Sequence, residues 1–175
     1  MQTIQNYEED GSAMGRINAW KFAYNLSNYR PLMGGGANAF TRDLFSRYAP
    51  EPNSVHDAHS IYFEIMGEHG FIGFGLFMLL AWFTWNTGSR IRRLSKRTPE
   101  TAWGYDMASM LQVSMVGYAA AGAFLGLAYF DLYYNLIAMM VICSILIKEQ
   151  ILKMEIAADP REPEVTVTAE QPDSE

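Results

Sequence analysis

Apolar residues in this chain gather into three long runs, while the stretches before and between them place apolar positions at helical spacing. Phe71 to Thr87 is rich in Phe, Leu and Trp and carries no charge, which predicts a membrane-spanning helix over about 71–88. Met107 to Phe130 predicts a second span, and Leu132 to Ile147 a shorter third one that a thinned bilayer accommodates. Gly117 with Ala121, and Gly122 with Gly126, are each four residues apart and predict small faces for close helix contact. The fold class is therefore an all-α membrane protein, with three transmembrane helices behind a helical loop segment over 1–69.

That first segment divides at its prolines and glycines. Ile17, Trp20 and Tyr24 predict an amphipathic helix over 14–29, with Ser12 as a cap and Pro31 as its stop. Met33-Gly34-Gly35-Gly36 predicts a tight turn; neither a strand nor a Gly-Lys-Ser/Thr accompanies it, so a nucleotide-binding loop is disfavoured. Phe40, Leu44 and Tyr48 predict a helix over 37–48, ended by Pro50 and Pro52. Ser54 and Asp57 suggest a capping-box start to a further helix over 54–70, on which His56, Ser60, Glu64 and Glu68 form a polar ridge.

Charge sets the expected orientation. Arg90, Arg92, Arg93, Lys96 and Arg97 follow the first span directly, so by the positive-inside rule the basic loop 89–106 is cytoplasmic. Residues 1–69 then lie on the periplasmic face, Asp131 sits at the outer surface on the side of His59, and Lys148 and Lys153 mark a cytoplasmic end. A nucleic-acid patch is the weaker explanation of this basic run. The net charge of −6 comes largely from the chain ends, and the acidic, proline-containing stretch 149–175 predicts a disordered cytoplasmic tail. The first ten residues have neither the basic start nor the apolar centre of a signal peptide. Cys143, the one cysteine, lies in an apolar run and reads as a buried, inert thiol.

Candidate chemistry concentrates just before the first span, where all three histidines, His56, His59 and His69, lie close to Asp57, Glu64 and Glu68. Zinc is disfavoured, because the spacing lacks His-Glu-x-x-His and no cysteine is near. A structural hydrogen-bonding role competes with general acid or base catalysis by an imidazole at the membrane surface.

Gly15-Arg16, Trp20, Arg30-Pro31-Leu32-Met33-Gly34-Gly35-Gly36, Ala58-His59-Ser60-Ile61-Tyr62-Phe63-Glu64 and Gly67-Glu68-His69-Gly70-Phe71-Ile72-Gly73, in this order before a spanning helix, resemble the O-antigen ligase and polymerase family. The pattern, over about residues 10–148, is most similar to the exosortase-associated O-glycosylation ligases. The resemblance implies a multi-pass protein of the bacterial inner membrane that moves a glycan from an undecaprenyl diphosphate carrier to a periplasmic lipid or protein acceptor. It implies no metal, nucleotide or other cofactor. The family's essential arginine and histidine match Arg16 and His59, and a later aspartate matches Asp131.

Physical chemistry accommodates those types. A guanidinium offers bidentate contacts to a diphosphate that strengthen as the leaving group gains charge, so Arg16 is the first phosphate contact, with Arg30 and Arg42 as alternatives. His59 either accepts the acceptor's proton or steadies the diphosphate, with Glu64 in support. Family members carry further spanning helices before this loop. The chain is therefore expected to be a fragment, or to need N-terminal helices from a longer or partner chain, and to be inactive alone. A polysaccharide polymerase and a non-catalytic membrane subunit are the rival readings.

Overall fold

A computed structural model describes residues 2–96 and 98–158, with side chains from Gly11 onward, and every regular element among them is a helix. Helix α1 runs Gln2–Tyr29, α2 Arg42–Tyr48, α3 Ile61–Ser95, α4 Ala102–Gly122 and α5 Leu132–Ala158; a single 3-10 turn, Pro99–Thr101, precedes α4. The helix expected at 14–29 begins earlier, and that expected at 37–48 is shortened to α2.

Two of these helices, α3 and α5, are long and apolar enough to cross a membrane. Only 28% and 22% of their most apolar stretches are buried, so both leave apolar surface uncovered, as lipid-facing helices do. The spans expected at about 71–88 and 132–147 fall within them. The one expected at 107–130 does not hold: α4 ends at Gly122, residues 123–131 form turns, and Ser109, Gln112 and Ser114 dilute its apolar character. The helix α5 continues to Ala158, past the expected start of the tail at 149, and the remainder of the tail lies outside the described residues.

Helices α3, α4 and α5 pack as a bundle in which α4 is antiparallel to its neighbours. The Tyr62 hydroxyl donates to the Ala119 carbonyl near the C-terminal end of α4, and Arg92 donates to Gln112 and Tyr105 towards its N-terminal end. Ile91, Ala108, Leu111, Met115, Leu136, Met140, Cys143 and Ile147 form the apolar centre, which accounts for the buried thiol. The expected small faces hold in part: Gly122 is a close contact, where a Cβ would stand 2.6 Å from Ile61, while Gly117 faces open space and Gly126 lies off the helix. Close approach also occurs at Gly88, where a Cβ would stand 2.8 Å from the Met140 methyl.

One break organises the other half. Gly70 interrupts α3 at φ 67° and ψ −170°, a conformation reserved in practice for glycine. The bend is sharp enough that Ile61 and Ile65 share an apolar cluster with Phe74, Phe77 and Ala81 from beyond it. Breaking a helix exposes carbonyls of the preceding turn and amides of the next, and the stretch after α1 satisfies them. Ser27 Oγ donates to the Met66 carbonyl at 2.6 Å, the amides of Gly35 and Gly36 donate to Gly67 and Glu68 at 2.8 and 3.0 Å, and the Pro31 carbonyl accepts from Ile72 at 3.3 Å. The triple glycine is thus a tight turn that clasps the bend, and all three of its amides are already used, that of Gly34 by the Arg30 carbonyl.

Gly34 has φ 56°, and a Cβ there would lie 2.5 Å from the Gly67 carbonyl oxygen, whereas Gly36, at φ 80°, has nothing within 4 Å. Alanine at Gly36 is expected to cost about 1–2 kcal/mol, the penalty for a left-handed residue. Alanine at Gly34 adds displacement of the clasp and is expected to cost roughly 3–4 kcal/mol. Unfolding of the two variants in detergent, followed by circular dichroism, measures the difference; equal costs would mean that the clasp is not held by close approach.

Candidate functional site

The residues expected to begin a helix at Ser54 do not. Residues 54–60 are non-helical, α3 starts only at Ile61, and the ridge of His56, Ser60, Glu64 and Glu68 is reduced to Glu64 and Glu68 on one helical face. Side chains of α1 hold this segment out of the helix. Asn18, buried, accepts from the Glu51 amide at 3.0 Å and donates to the Glu51 and Ser54 carbonyls at 2.9 Å each. Trp20 Nε1 donates to the Ala58 carbonyl at 2.7 Å and its ring stacks on Phe63 at 5.0 Å. Between these anchors His59 is left at φ 44°, an uncommon conformation for a residue with a Cβ.

His59 and Glu64 share a cavity of about 420 Å³ with Asp57, Glu68, Asn38 and Thr41; Phe40, Ala58 and Gly126 complete its wall. Its floor is rigid. Glu68, only 5% exposed, accepts the Asn38 amide on Oε1 at 2.7 Å and the Tyr129 hydroxyl on Oε2. The Tyr129 oxygen also lies 2.9 Å from His69 Nε2. Burial pushes the Tyr129 hydroxyl well above its ordinary range, and the bond to Glu68 adds to that, so the phenol stays protonated as the donor.

Glu64 precedes the bend and lies outside the uncharged stretch that follows it. Burial raises its carboxyl above the usual range; the Ala128 backbone N–H pulls it back in part, and the charges of Glu68 and Asp57 push it up further. Its Oε2 is buried with no hydrogen-bond partner among the described residues, so it is available to a ligand in the cavity.

The expected phosphate contacts are dispersed. Arg16 leaves α1 between the two points where that helix grips the His59 segment, namely Gly15 against the His56 ring and Trp20 on Ala58. Its Nε is buried without a partner. Arg30 and Arg42 are exposed and line no part of the cavity, and Asp131 is an exposed residue ahead of α5. Among the described residues no lysine or arginine lines the cavity. Among the described residues no cluster of three or more His, Cys, Asp or Glu is arranged to hold a metal ion.

Asp57 and Glu68 were visible from sequence as members of the polar cluster around the histidines. Asn38 and Thr41 reach the site through the fold, and Tyr129 lies 61 residues from its partner. No local pattern signals that pairing.

Residues 1–78 match the family model described as O-antigen ligase. No curated protein and no solved structure matches the chain. The matched stretch contains every cavity residue except Gly126, and it supports the O-antigen ligase family for this part of the molecule.

Two outcomes are expected of the site's carboxylates. A carboxyl whose folded pKa is raised contributes stability that is full below its unfolded pKa and lost as pH rises through the folded value. Glu64→Gln, which stays neutral, should therefore exceed the parent in stability at about pH 8, with the gap closing towards about pH 4. Denaturant titrations at the two pH values test this, and a gap that widened on acidification would overturn it. Tyr129→Phe leaves Glu68 Oε2 without its donor and should cost about 1–3 kcal/mol in the same assay.

Proposed function

We propose that this chain is the glycan-acceptor half of a bacterial membrane glycosyltransferase of the O-antigen ligase kind. The observation that carries this reading is that the O-antigen ligase match covers the segment that builds the His59 cavity, beside a helix able to span a membrane. The donor is a glycan on undecaprenyl diphosphate and the acceptor a periplasmic lipid or protein, as in exosortase-associated O-glycosylation ligases. Residues 1–69 face the periplasm, the basic loop faces the cytoplasm, and the membrane is the inner one. Helix α4 packs antiparallel against α3, with Gln112 buried in that contact.

The charges support a division of the reaction into two halves. A cavity with Asp57, Glu64 and Glu68 repels a diphosphate but accepts a proton, so the acceptor hydroxyl belongs beside His59. His59 takes that proton as the oxygen attacks the anomeric carbon, and the bond from that carbon to the diphosphate oxygen breaks, both electrons leaving with the phosphate. Glu64 supports the base. Arg16 is the cation of this chain closest in design to the leaving group, and further cations come from N-terminal helices of a longer or partner chain. A polymerase differs from this ligase only in its acceptor.

The acidic lining that the described residues give the cavity also favours a second reading, a membrane subunit that packs and does not catalyse. Transfer of labelled glycan in native membranes separates the two. His59→Ala at unchanged membrane abundance should lower transfer by roughly 10²–10⁴-fold, the contribution of a general base. Undiminished transfer would leave the packing subunit as the reading.

A further inference from the structure

The seam between α3 and α4 carries two hollows in succession, and its character changes along its length. Its upper part, about 270 Å³, is lined almost wholly by apolar surface, including Met78, Ala81, Trp82 and Trp85 of α3 and Val116 and Ala119 of α4. One turn beyond Trp85 a second hollow of about 210 Å³ opens among Ser89, Arg92, Arg93, Lys96 and Tyr105. Residues 78, 82, 85, 89 and 92 of α3 and Lys96 at its C-cap succeed one another at three- and four-residue steps, as do 105, 109, 112, 116 and 119 of α4, so both hollows lie on the same seam. Met78 to Ser89 covers roughly 16 Å of helix, about one leaflet of a ~30 Å hydrocarbon core.

The basic end is a built site. Arg92 donates to Gln112 Oε1 at 3.1 Å and to the Tyr105 hydroxyl at 3.2 Å, and its guanidinium lies 5.0 Å from the Tyr105 ring. Gln112, 3% exposed, is in turn fixed by donating to the Trp85 carbonyl and to Ser89 Oγ, both at 3.0 Å. Lys96 Nζ stands over the same ring at 5.1 Å. Arg92 Nε is buried without a partner, and among the described residues neither Arg92, Arg93 nor Lys96 pairs with a carboxylate. The one acid nearby is Asp106, which borders an adjoining hollow with Lys96 and Tyr105.

We propose that this groove binds one anionic glycerophospholipid of the cytoplasmic leaflet, its phosphate among Arg92, Arg93 and Lys96 and an acyl chain along Trp85, Trp82 and Met78. A free phosphate explains the cations but not the apolar continuation, and a carrier tail explains the apolar part but not a phosphate site at this end. The inference rests on the membrane reading of α3 and not on glycan transfer.

The full chain is reconstituted into phosphatidylcholine vesicles containing small amounts of acyl-brominated phosphatidylglycerol, and quenching of tryptophan fluorescence is followed. Saturable quenching at low mole fraction is expected, with brominated phosphatidylcholine much weaker at equal fraction. Arg93→Gln with Lys96→Gln, which leaves the Arg92–Gln112 bond intact, should raise the half-saturation fraction about tenfold, whereas Arg90→Gln, outside the groove, should change it less than about twofold. Equal quenching by the two lipids, equal shifts for the groove and Arg90 variants, or displacement by inorganic phosphate would each overturn the site. A chain that fails to insert into the vesicles overturns the membrane reading with it; an inserted chain without headgroup preference overturns the site alone.

Discussion

The structure depends on how the backbone is satisfied at Gly70. A helix that stops and restarts exposes polar groups, and each one buried without a partner costs about 1–3 kcal/mol. Ser27, Pro31, Gly35 and Gly36 supply those partners, so the bend in α3 and the clasp after α1 stabilise each other. Asn38, just beyond the clasp, then donates to Glu68 and makes the floor of the cavity an extension of the same joint. Loss of the clasp would release the site and the helix entry together.

The N-terminal half therefore works as a scaffold of polar side chains on backbone. Asn18, Trp20, Asn25 and Ser27 of α1 each bind a carbonyl of the segment between Tyr48 and Met66. Phe22, Phe40 and Phe45 provide the apolar support beneath them, with Phe22 and Phe45 stacked at 4.1 Å. That arrangement presents an acidic, water-accessible cavity beside an apolar helix. Hydroxyl activation suits such a place, while a diphosphate needs positive charge that the cavity does not hold.

Local pattern made some of this legible and left the rest hidden for physical reasons. The helix boundary at Gly70, the apolar runs of α3 and α5 and the burial of Cys143 all follow from short-range spacing. Residues 54–60 carry a plausible capping sequence, yet Asn18 and Trp20 outbid it with bonds from another helix, so propensity pointed the wrong way. Arg30 and Arg42 have the right chemistry, but whether an arginine faces a cavity or solvent depends on the tertiary register of its loop. Of the glycines in 117–126, Gly122 does meet a neighbouring helix, but Gly126 does not, because sequence does not show that α4 ends at Gly122. Tyr129 was unreadable for the same reason, since it reaches Glu68 only once the turns after α4 carry it back.

The Tyr129 to Glu68 contact also has a consequence in time. Chains emerge from the ribosome at about 5–20 residues per second, so the 61 residues between the partners separate their appearance by roughly 3–12 s. During that interval α1, the clasp and the first half of α3 can form from sequence already made, while the Glu68 carboxylate has only the Asn38 amide for company. The cavity is completed by the turn that follows α4, after the bundle's second helix is in place. Order of synthesis thus makes the closing of the site a late event, tied to the arrival of the turns that follow α4.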